Sequence, residues 1–319
     1  MALACYNKGM LKECNDAPMV GIFMPAYNQG GFVDEAIDSL KKQTFQDFVV
    51  HIVDDGSNDG ATPEKLASIK YNKAKLFLNN DNKGVVFRAK QHYKLFKTKY
   101  VLVLCADDIL APTFLEKTVK FLEENKEYGA VSVNLKVFKK SIDDGGAETK
   151  FDAMKMKLKY LLARNRVLGS SLMRREALLD TDLSGGFKRY QDWDRWISML
   201  EAGWKIGLVP ETLFYYRQVP SSLSHLASIE DELEIRRKLL TKHKKSYRLY
   251  YENVILDMEQ AFLEVLGGKN WLEGQYEFLN KENDRLKKEV KNLKKYGRVV
   301  YYVRKGMRKN RGEGRCLEK

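Results

Sequence analysis

The feature that most narrows what this chain can fold into is a strict alternation through its first half. Short apolar runs at residues 20–24, 48–53, 75–78, 100–104 and 130–138 are separated by segments 33–42, 85–96 and 113–125, in which apolar residues recur at helical spacing. Runs so short and so apolar read as buried strands, and strands joined through helices lie parallel. The pattern predicts an α/β domain with a mostly parallel central sheet and helices on both faces. A chain of 319 residues holds one such core and an appendage.

Ligands of such sheets bind outside the carboxyl ends of the strands. Three strand ends are polar here: Pro25-Ala26-Tyr27-Asn28, Asp54-Asp55-Gly56-Ser57 and Ala106-Asp107-Asp108. Repeated carboxylates on one rim repel unless a cation sits among them. Asp107 and Asp108 suit magnesium or manganese, which take carboxylate together with phosphate oxygens; the alternative is that they cap the following helix. Asp54 to Ser57 is dense turn chemistry, or else a carboxylate placed to accept from a nucleotide base or ribose. Gly84 opens the helix bearing Arg88, where backbone N–H groups can meet an anion. Arg88 itself faces either a diphosphate or a neighbouring carboxylate. Asp192, between Gln191 and Trp193, begins an amphipathic helix as its cap or as a proton acceptor.

From about residue 152 the pattern changes to a helical stretch, a segment 169–174, a Gly185-Gly186 turn and two short strands, 205–209 and 212–217. Beyond Ser228 the chain reads as helical and highly charged. The expected organisation is a lead at 1–17, a catalytic domain at 18–227, a helical extension at 228–269, a coiled coil at 270–296 and a basic amphipathic tail at 297–319.

Together the motifs resemble the family-two glycosyltransferases of bacterial cell-surface polysaccharide type. These carry a Pro-x-Tyr-Asn start, an Asp-Asp-Gly-Ser loop, an Asp-x-Asp-type metal loop and a Glu-Asp-Trp segment, matched in order by Pro25–Asn28, Asp54–Ser57, Ala106–Asp108 and Gln191–Trp193. Gln43-Thr44-Phe45, Gly169-Ser170-Ser171-Leu172 and Tyr216-Arg217 extend the likeness over roughly residues 18–225. The resemblance implies a GT-A fold, Rossmann-like, and an inverting transfer from a nucleotide diphosphate sugar, UDP-linked in the first expectation, to a hydroxyl of a glycan or lipid-linked glycan. It implies Pro25, Tyr27 and Asp55 around base and ribose, Gly84 and Arg88 near the diphosphate, and Asp107 and Asp108 at a Mn2+ or Mg2+ ion. Asp192 becomes the general base, and Gln191, Trp193 and Arg217 contact acceptor or diphosphate. Three positions depart from the family: Cys105 stands where a first metal-loop aspartate is common, Gln191 replaces a glutamate, and Val219 replaces a histidine. His51, His92, His225 and His243 are therefore assigned no metal and read as ordinary helix, strand or surface residues.

Competing classes lack their signatures. A dinucleotide-dependent dehydrogenase needs Gly-x-Gly-x-x-Gly after a strand, and the first run ends Pro25-Ala26-Tyr27-Asn28-Gln29-Gly30-Gly31. A sugar-phosphate nucleotidyltransferase needs a glycine-rich basic loop near its start. A non-catalytic nucleotide-sugar-binding scaffold of the same fold stays open as the alternative.

No apolar run approaches the roughly 20 residues that span a bilayer, and residues 1–17 lack a signal-peptide core. Cys5, Cys14, Cys105 and Cys316 form no C-x-x-C pair and read as reduced thiols. These points lead to a cytoplasmic expectation. The net charge of +13 concentrates in residues 294–311, with eight Lys or Arg and no acid. That pattern favours an anionic membrane surface on the inner face of the cell membrane over nucleic acid. Leu272, Leu279, Leu286 and Leu293 recur every seven residues, with Tyr276, Asn283 and Val290 at the intervening seam positions, which predicts a parallel coiled-coil homodimer.

Overall fold

The computed structural model describes residues 17–181, 186–187, 189–219 and 228–267. The expected coiled coil, the basic tail, nearly all of the lead, His225 and three of the four cysteines lie outside these residues. The chain divides into two compact units, 1–255 and 256–319, and the following concerns the first.

In chain order the first half runs β1 (Val20–Ala26), α1 (Val33–Lys41), β2 (Phe48–Asp54), α2 (Thr62–Ala67), β3 (Ala74–Leu78), α3 (Val85–Leu95), β4 (Tyr100–Val103), β5 (Ile109–Leu110), α4 (Phe114–Glu124) and β6 (Tyr128–Phe138). The second half runs β7 (Glu148–Thr149), α5 (Leu158–Leu161), β8 (Leu172–Arg174), α6 (Arg175–Leu179), α7 (Gln191–Glu201), β9 (Lys205–Arg217), α8 (Ile229–Lys242), α9 (Lys244–Leu249) and α10 (Tyr251–Gly267). Among the described residues the strands form one sheet, ordered β3-β2-β1-β4-β8-β6-β9-β5, with β7 paired on β6.

The first four strands are parallel, as the apolar runs predict. The rest of the sheet is mixed. β8 runs antiparallel to β4 and β6, β5 antiparallel to β9, and β7 antiparallel to β6, while β6 and β9 are parallel. A mixed α/β sheet thus replaces the mostly parallel one expected, because β5, β7 and β8 are only two or three residues long and show no readable period. The two strands expected at 205–217 are one, β9. Its register against β6 jumps from Val133 opposite Val209 to Asn134 opposite Thr212. Pro210 and Glu211 are the extra residues of this bulge, where a residue without an N–H costs no ladder bond.

Alternation along the strands feeds two apolar clusters on opposite faces. Val20, Ile22 and Met24 of β1 pack with Val33, Ala36, Ile37 and Leu40 of α1 and with Phe114, Leu115, Val119 and Leu122 of α4. Phe23, one residue out of phase, joins Ala89 and Tyr93 of α3 and Trp193, Trp196 and Ile197 of α7. Helix α8 adds Ile235 and Leu239 to this second cluster. Its start is fixed by a capping box, in which Ser228 Oγ accepts from Asp231 N at 3.1 Å and Asp231 returns the bond to Ser228 N at 3.1 Å. No helix among the described residues is long and apolar enough to cross a membrane.

Candidate active site

Strand order reverses at β1: the chain moves outward to β2 and β3, then returns to β4 on the other side. The crevice beyond the carboxyl ends of β1 and β4 is a topological switch point, the usual ligand site of such sheets. The loops that meet there carry the residues singled out from sequence.

Pro25 and Tyr27 leave β1 at this rim, where Pro25 O accepts from Ala106 N at 3.3 Å and Tyr27 is 41% exposed. Asn28 holds a left-handed φ of 55° and clasps the next loop: its Nδ2 donates to Asn58 Oδ1, its Oδ1 accepts from Asn58 N, and its N donates to Ser57 Oγ. Asp54 turns inward on its own loop and accepts from both the N and the Oγ of Ser57.

Asp55 reaches the other way. Its buried carboxylate accepts from Lys83 N at 3.0 Å, Gly84 N at 2.7 Å and Arg88 Nε at 2.7 Å. The anion met by the start of α3 is therefore the chain's own Asp55. Arg88 is buried and spends its Nη2 on the carbonyl and carboxylate of Asp81, at 2.6 and 2.7 Å. Of the two partners left open for Arg88 from sequence, the structure shows the neighbouring carboxylates. Gly56, at φ +72°, lets these loops meet, since a Cβ there would stand 2.5 Å from the Asp81 carbonyl carbon.

The second acidic pair is built differently. Asp107 and Asp108 follow β4, and the next two residues, β5, pair Ile109 with Tyr215 and Leu110 with Phe214 of β9. That short ladder, not anticipated from sequence, brings Arg217 back onto the acidic loop. Arg217 N donates to Asp108 Oδ1 at 3.0 Å and its Nε to Asp107 O at 2.9 Å. The guanidinium lies against the rings of Phe32 and Phe138, 4.8 and 4.3 Å from their centroids, and Nη2 stands 2.8 Å from Glu35.

The Cys105 thiol and the Asp107 and Asp108 carboxylates place one ligand atom each within 4.8 Å of one another. Burial pushes the Asp107 carboxyl above the ordinary carboxylate range, against a hydrogen bond within its own residue and the pull of Arg217. Burial and then Asp107 push Asp108 far above it. The Cys105 thiol is driven up by burial and then by Asp108, Asp107 and Asp192. Two buried carboxylates sharing one arginine hold a proton or a cation. The oxygen donors suit a hard divalent ion, with the neutral thiol beside them the poorer ligand.

Asp192, on α7, lies near enough to the Cys105 thiol to help raise its pKa. Its Oδ2 accepts from Asn165 Nδ2 at 2.7 Å, and Gly169 lies so close that a Cβ there would approach the carboxylate to 3.3 Å. Burial raises its pKa, partly offset by Arg195 and the Asn165 bond. Gln191 is half-buried in the preceding position and lines a small cleft with Val85, Val103 and Arg195. Trp193 points away from the crevice: it is buried in the second cluster, and its Nε1 donates to Leu161 O. Asn165 was not singled out from sequence, and an isolated Asn-Arg pair offers no signal for it.

This fold is shared with solved glycosyltransferases. S. aureus TarS 1–349, solved in complex with UDP-GlcNAc, superposes with a TM-score of 0.60 at 19% identity, covering 82% of this chain and 78% of that one. A mannosyltransferase of Pyrobaculum calidifontis, solved in complex with GDP-Man and Mn2+, gives 0.53 at 17% identity, covering 83% and 80%. By sequence, an uncharacterised glycosyltransferase of Methanocaldococcus jannaschii is 28% identical over 248 residues, 75% of this chain and 84% of that protein. One of Haemophilus influenzae is 30% identical over 123 residues, 38% of each chain. The Glycosyl transferase family 2 model matches residues 21–181. The chain belongs to that family.

Proposed function

We propose that this chain transfers a sugar from a nucleoside diphosphate donor to an acceptor hydroxyl with inversion, Asp192 acting as the base. The observation that carries this reading is the cluster of Asp107 and Asp108 with the Cys105 thiol at the switch-point crevice, with Asp192 near enough to help raise the thiol's pKa. In this reading the acid pair serves the diphosphate side of the reaction and a separate carboxylate serves the acceptor.

Asp107 and Asp108 would hold a divalent cation, Mn2+ or Mg2+, whose chemistry when bound is to offset charge on the diphosphate leaving group. The chain's own residues do the rest. Tyr27 and Pro25 offer a surface at the mouth of the crevice for the base and ribose. Asp55 and Arg88, locked to each other, shape the 81–84 loop that borders the donor. Gln191 and Arg217 flank the space where acceptor and diphosphate meet, with Trp193 anchoring α7 from behind. Asp192 takes the hydroxyl proton as that oxygen attacks the anomeric carbon opposite the departing diphosphate. A carboxylate with a raised pKa accepts a proton near neutrality more readily than an ordinary one.

A UDP-linked donor is proposed because a structural neighbour was captured with UDP-GlcNAc. A glycan or lipid-linked glycan acceptor, homodimerisation through residues 270–296 and contact of residues 297–319 with an anionic membrane remain proposals resting on the sequence.

The test is Asp192→Asn. The amide keeps size and the bond from Asn165 but cannot take a proton. Turnover is expected to fall by about 10²–10⁴-fold, with nucleoside diphosphate binding unchanged. Near-native turnover would remove Asp192 as the base, and absence of any donor turnover by the unaltered chain with Mn2+ would favour a binding scaffold.

A further inference from the structure

Behind the base lies a charged cluster to which no role has been given. His243 sits at the junction of α8 and α9, 3% exposed, with a carboxylate on each ring nitrogen. Nε2 is 2.8 Å from Asp194 Oδ1, and Nδ1 is 2.7 Å from Glu201 Oε2. Both carboxylates belong to α7, the helix that carries Asp192 in its first turn. Lys242 Nζ adds a bond of 2.8 Å to Asp194 Oδ2, and Ser246 Oγ donates to Glu201 Oε1.

A neutral imidazole has one N–H, so it satisfies one of two facing carboxylates and turns a lone pair to the other. Only the imidazolium donates to both. Burial alone would lower the His243 pKa, but the bonds to Asp194 and Glu201 outweigh it and raise it. The groups that face the ring are Asp194 and Glu201 from α7 and Lys242 from α8, with Tyr247 of α9 bonded to the His243 carbonyl.

The same two helices grip the other support of Asp192. Arg236 Nη1 donates to Ala163 O at 3.1 Å, and Tyr247 OH donates to Leu162 O at 2.8 Å. These carbonyls lie two and three residues before Asn165, the partner of the Asp192 carboxylate. Tyr190, which precedes α7 at a left-handed φ of 54°, bonds through its hydroxyl to Glu232 of α8. A non-glycine residue holds that conformation where its surroundings over-determine it.

We propose that His243 is a positioning residue for glycosyl transfer: its imidazolium, held between Asp194 and Glu201, fixes the helix that presents Asp192 to the acceptor. This rests on the reading of Asp192 as the base. The charged extension after residue 228, up to α9, is thereby part of the catalytic machinery. Loss of one ring proton loosens one end of the clamp, at Asp194 or at Glu201, so turnover declines on the alkaline side.

The experiment uses the full chain, with the nucleotide sugar that best protects it against thermal unfolding as donor and nucleoside diphosphate release as the readout. His243→Gln is expected to lower kcat by about 10–100-fold, the scale of a small misplacement of a reacting group. Donor KM should stay within about twofold, because the side-chain bonds of His243 run to α7, Asp194 and Glu201, and not to the donor loops, and the alkaline decline of the unaltered chain should vanish. Glu201→Gln, at the more exposed edge, keeps the site foldable if the first variant fails; its alkaline decline should move to lower pH as the imidazolium loses one anionic partner. Lower thermal stability with unchanged kcat and pH profile in either variant would overturn the inference and leave His243 a purely structural residue. Near-native turnover of Asp192→Asn would instead remove the base reading, so the two failures are distinguishable.

Discussion

Asp55→Asn tests whether the Asp-Asp-Gly-Ser loop is first a brace or first a ligand contact. The Asp55 side chain takes three donors: Lys83 N and Arg88 Nε on Oδ1, Gly84 N on Oδ2. Asparagine has one carbonyl oxygen, which can keep Lys83 and Arg88, while its amide turns a donor toward Gly84 N. Gly84 N retains Asn82 Oδ1 at 3.1 Å, so the larger loss falls on Arg88. That guanidinium, 5% exposed at the side chain, would keep a neutral carbonyl in place of the Asp55 charge and have Asp81, itself 55% exposed, as its anionic partner. Breaking a buried pair by neutralising one partner costs about 3–5 kcal/mol. Urea unfolding of the variant should therefore show a loss of that size with an unchanged m-value. A double-mutant cycle with Arg88→Met should return a strong coupling, because the two changes remove one shared interaction. A loss below about 1 kcal/mol, or additivity of the two substitutions, would refute the brace. Weakened nucleotide binding at intact stability would make Asp55 chiefly a ligand contact.

Asp107→Asn and Asp108→Asn should each weaken Mn2+ binding by about tenfold or more while raising the stability of the metal-free chain, since each relieves repulsion between buried carboxylates. Titration of Mn2+ with nucleoside diphosphate, alongside thermal unfolding, measures both; unchanged Mn2+ affinity in both variants would move the cation elsewhere. The buried pair His51 and His92, Nδ1 to Nδ1 at 3.0 Å, predicts acid sensitivity. Burial, and then neighbouring positive charge, lowers each from 6.5 to about 4. The folded chain binds fewer protons than the unfolded one between those values, so stability is full above pH 6.5 and is lost as pH falls toward 4, by on the order of 3 kcal/mol for each histidine. A His51→Phe, His92→Phe chain with the same acid slope as the unaltered one would contradict this.

What was legible in the sequence follows from how far each determinant acts along the chain. The runs forming β1, β2 and β4 are buried on both faces and announce themselves as continuous apolar stretches. Helices α1 and α4 show their period because one face packs on the sheet. β5 and β8 are too short for any period, and β9 was divided at Pro210 because only its pairing on β6 reveals the bulge. The acidic residues were visible, since carboxylates at the ends of buried strands have no packing reason to be there. Their partners were not. Asp55 meets donors 28, 29 and 33 residues away, and His243, read as ordinary, lies 49 residues from Asp194 and 42 from Glu201.

The contrast between the two acidic pairs is the step that sequence alone could not take. Asp54-Asp55 and Asp107-Asp108 look alike: each is an aspartate pair that follows an apolar strand. In the fold the first pair is neutralised from within, Asp54 by the Ser57 N–H and hydroxyl and Asp55 by two backbone N–H groups and Arg88. Its charge is spent holding loops together. The second pair has Arg217 as its nearby cation, and that guanidinium is already shared with Glu35 and packed against Phe32 and Phe138. Buried carboxylates left short of positive charge cost stability, and a chain selected for folding alone would gain by replacing one of them. The deficit lies at the switch-point crevice, near the separate carboxylate of Asp192. The arrangement makes sense when a ligand brings the missing positive charge, which is why we propose Asp107 and Asp108, and not Asp54 and Asp55, as the ligands of the cation.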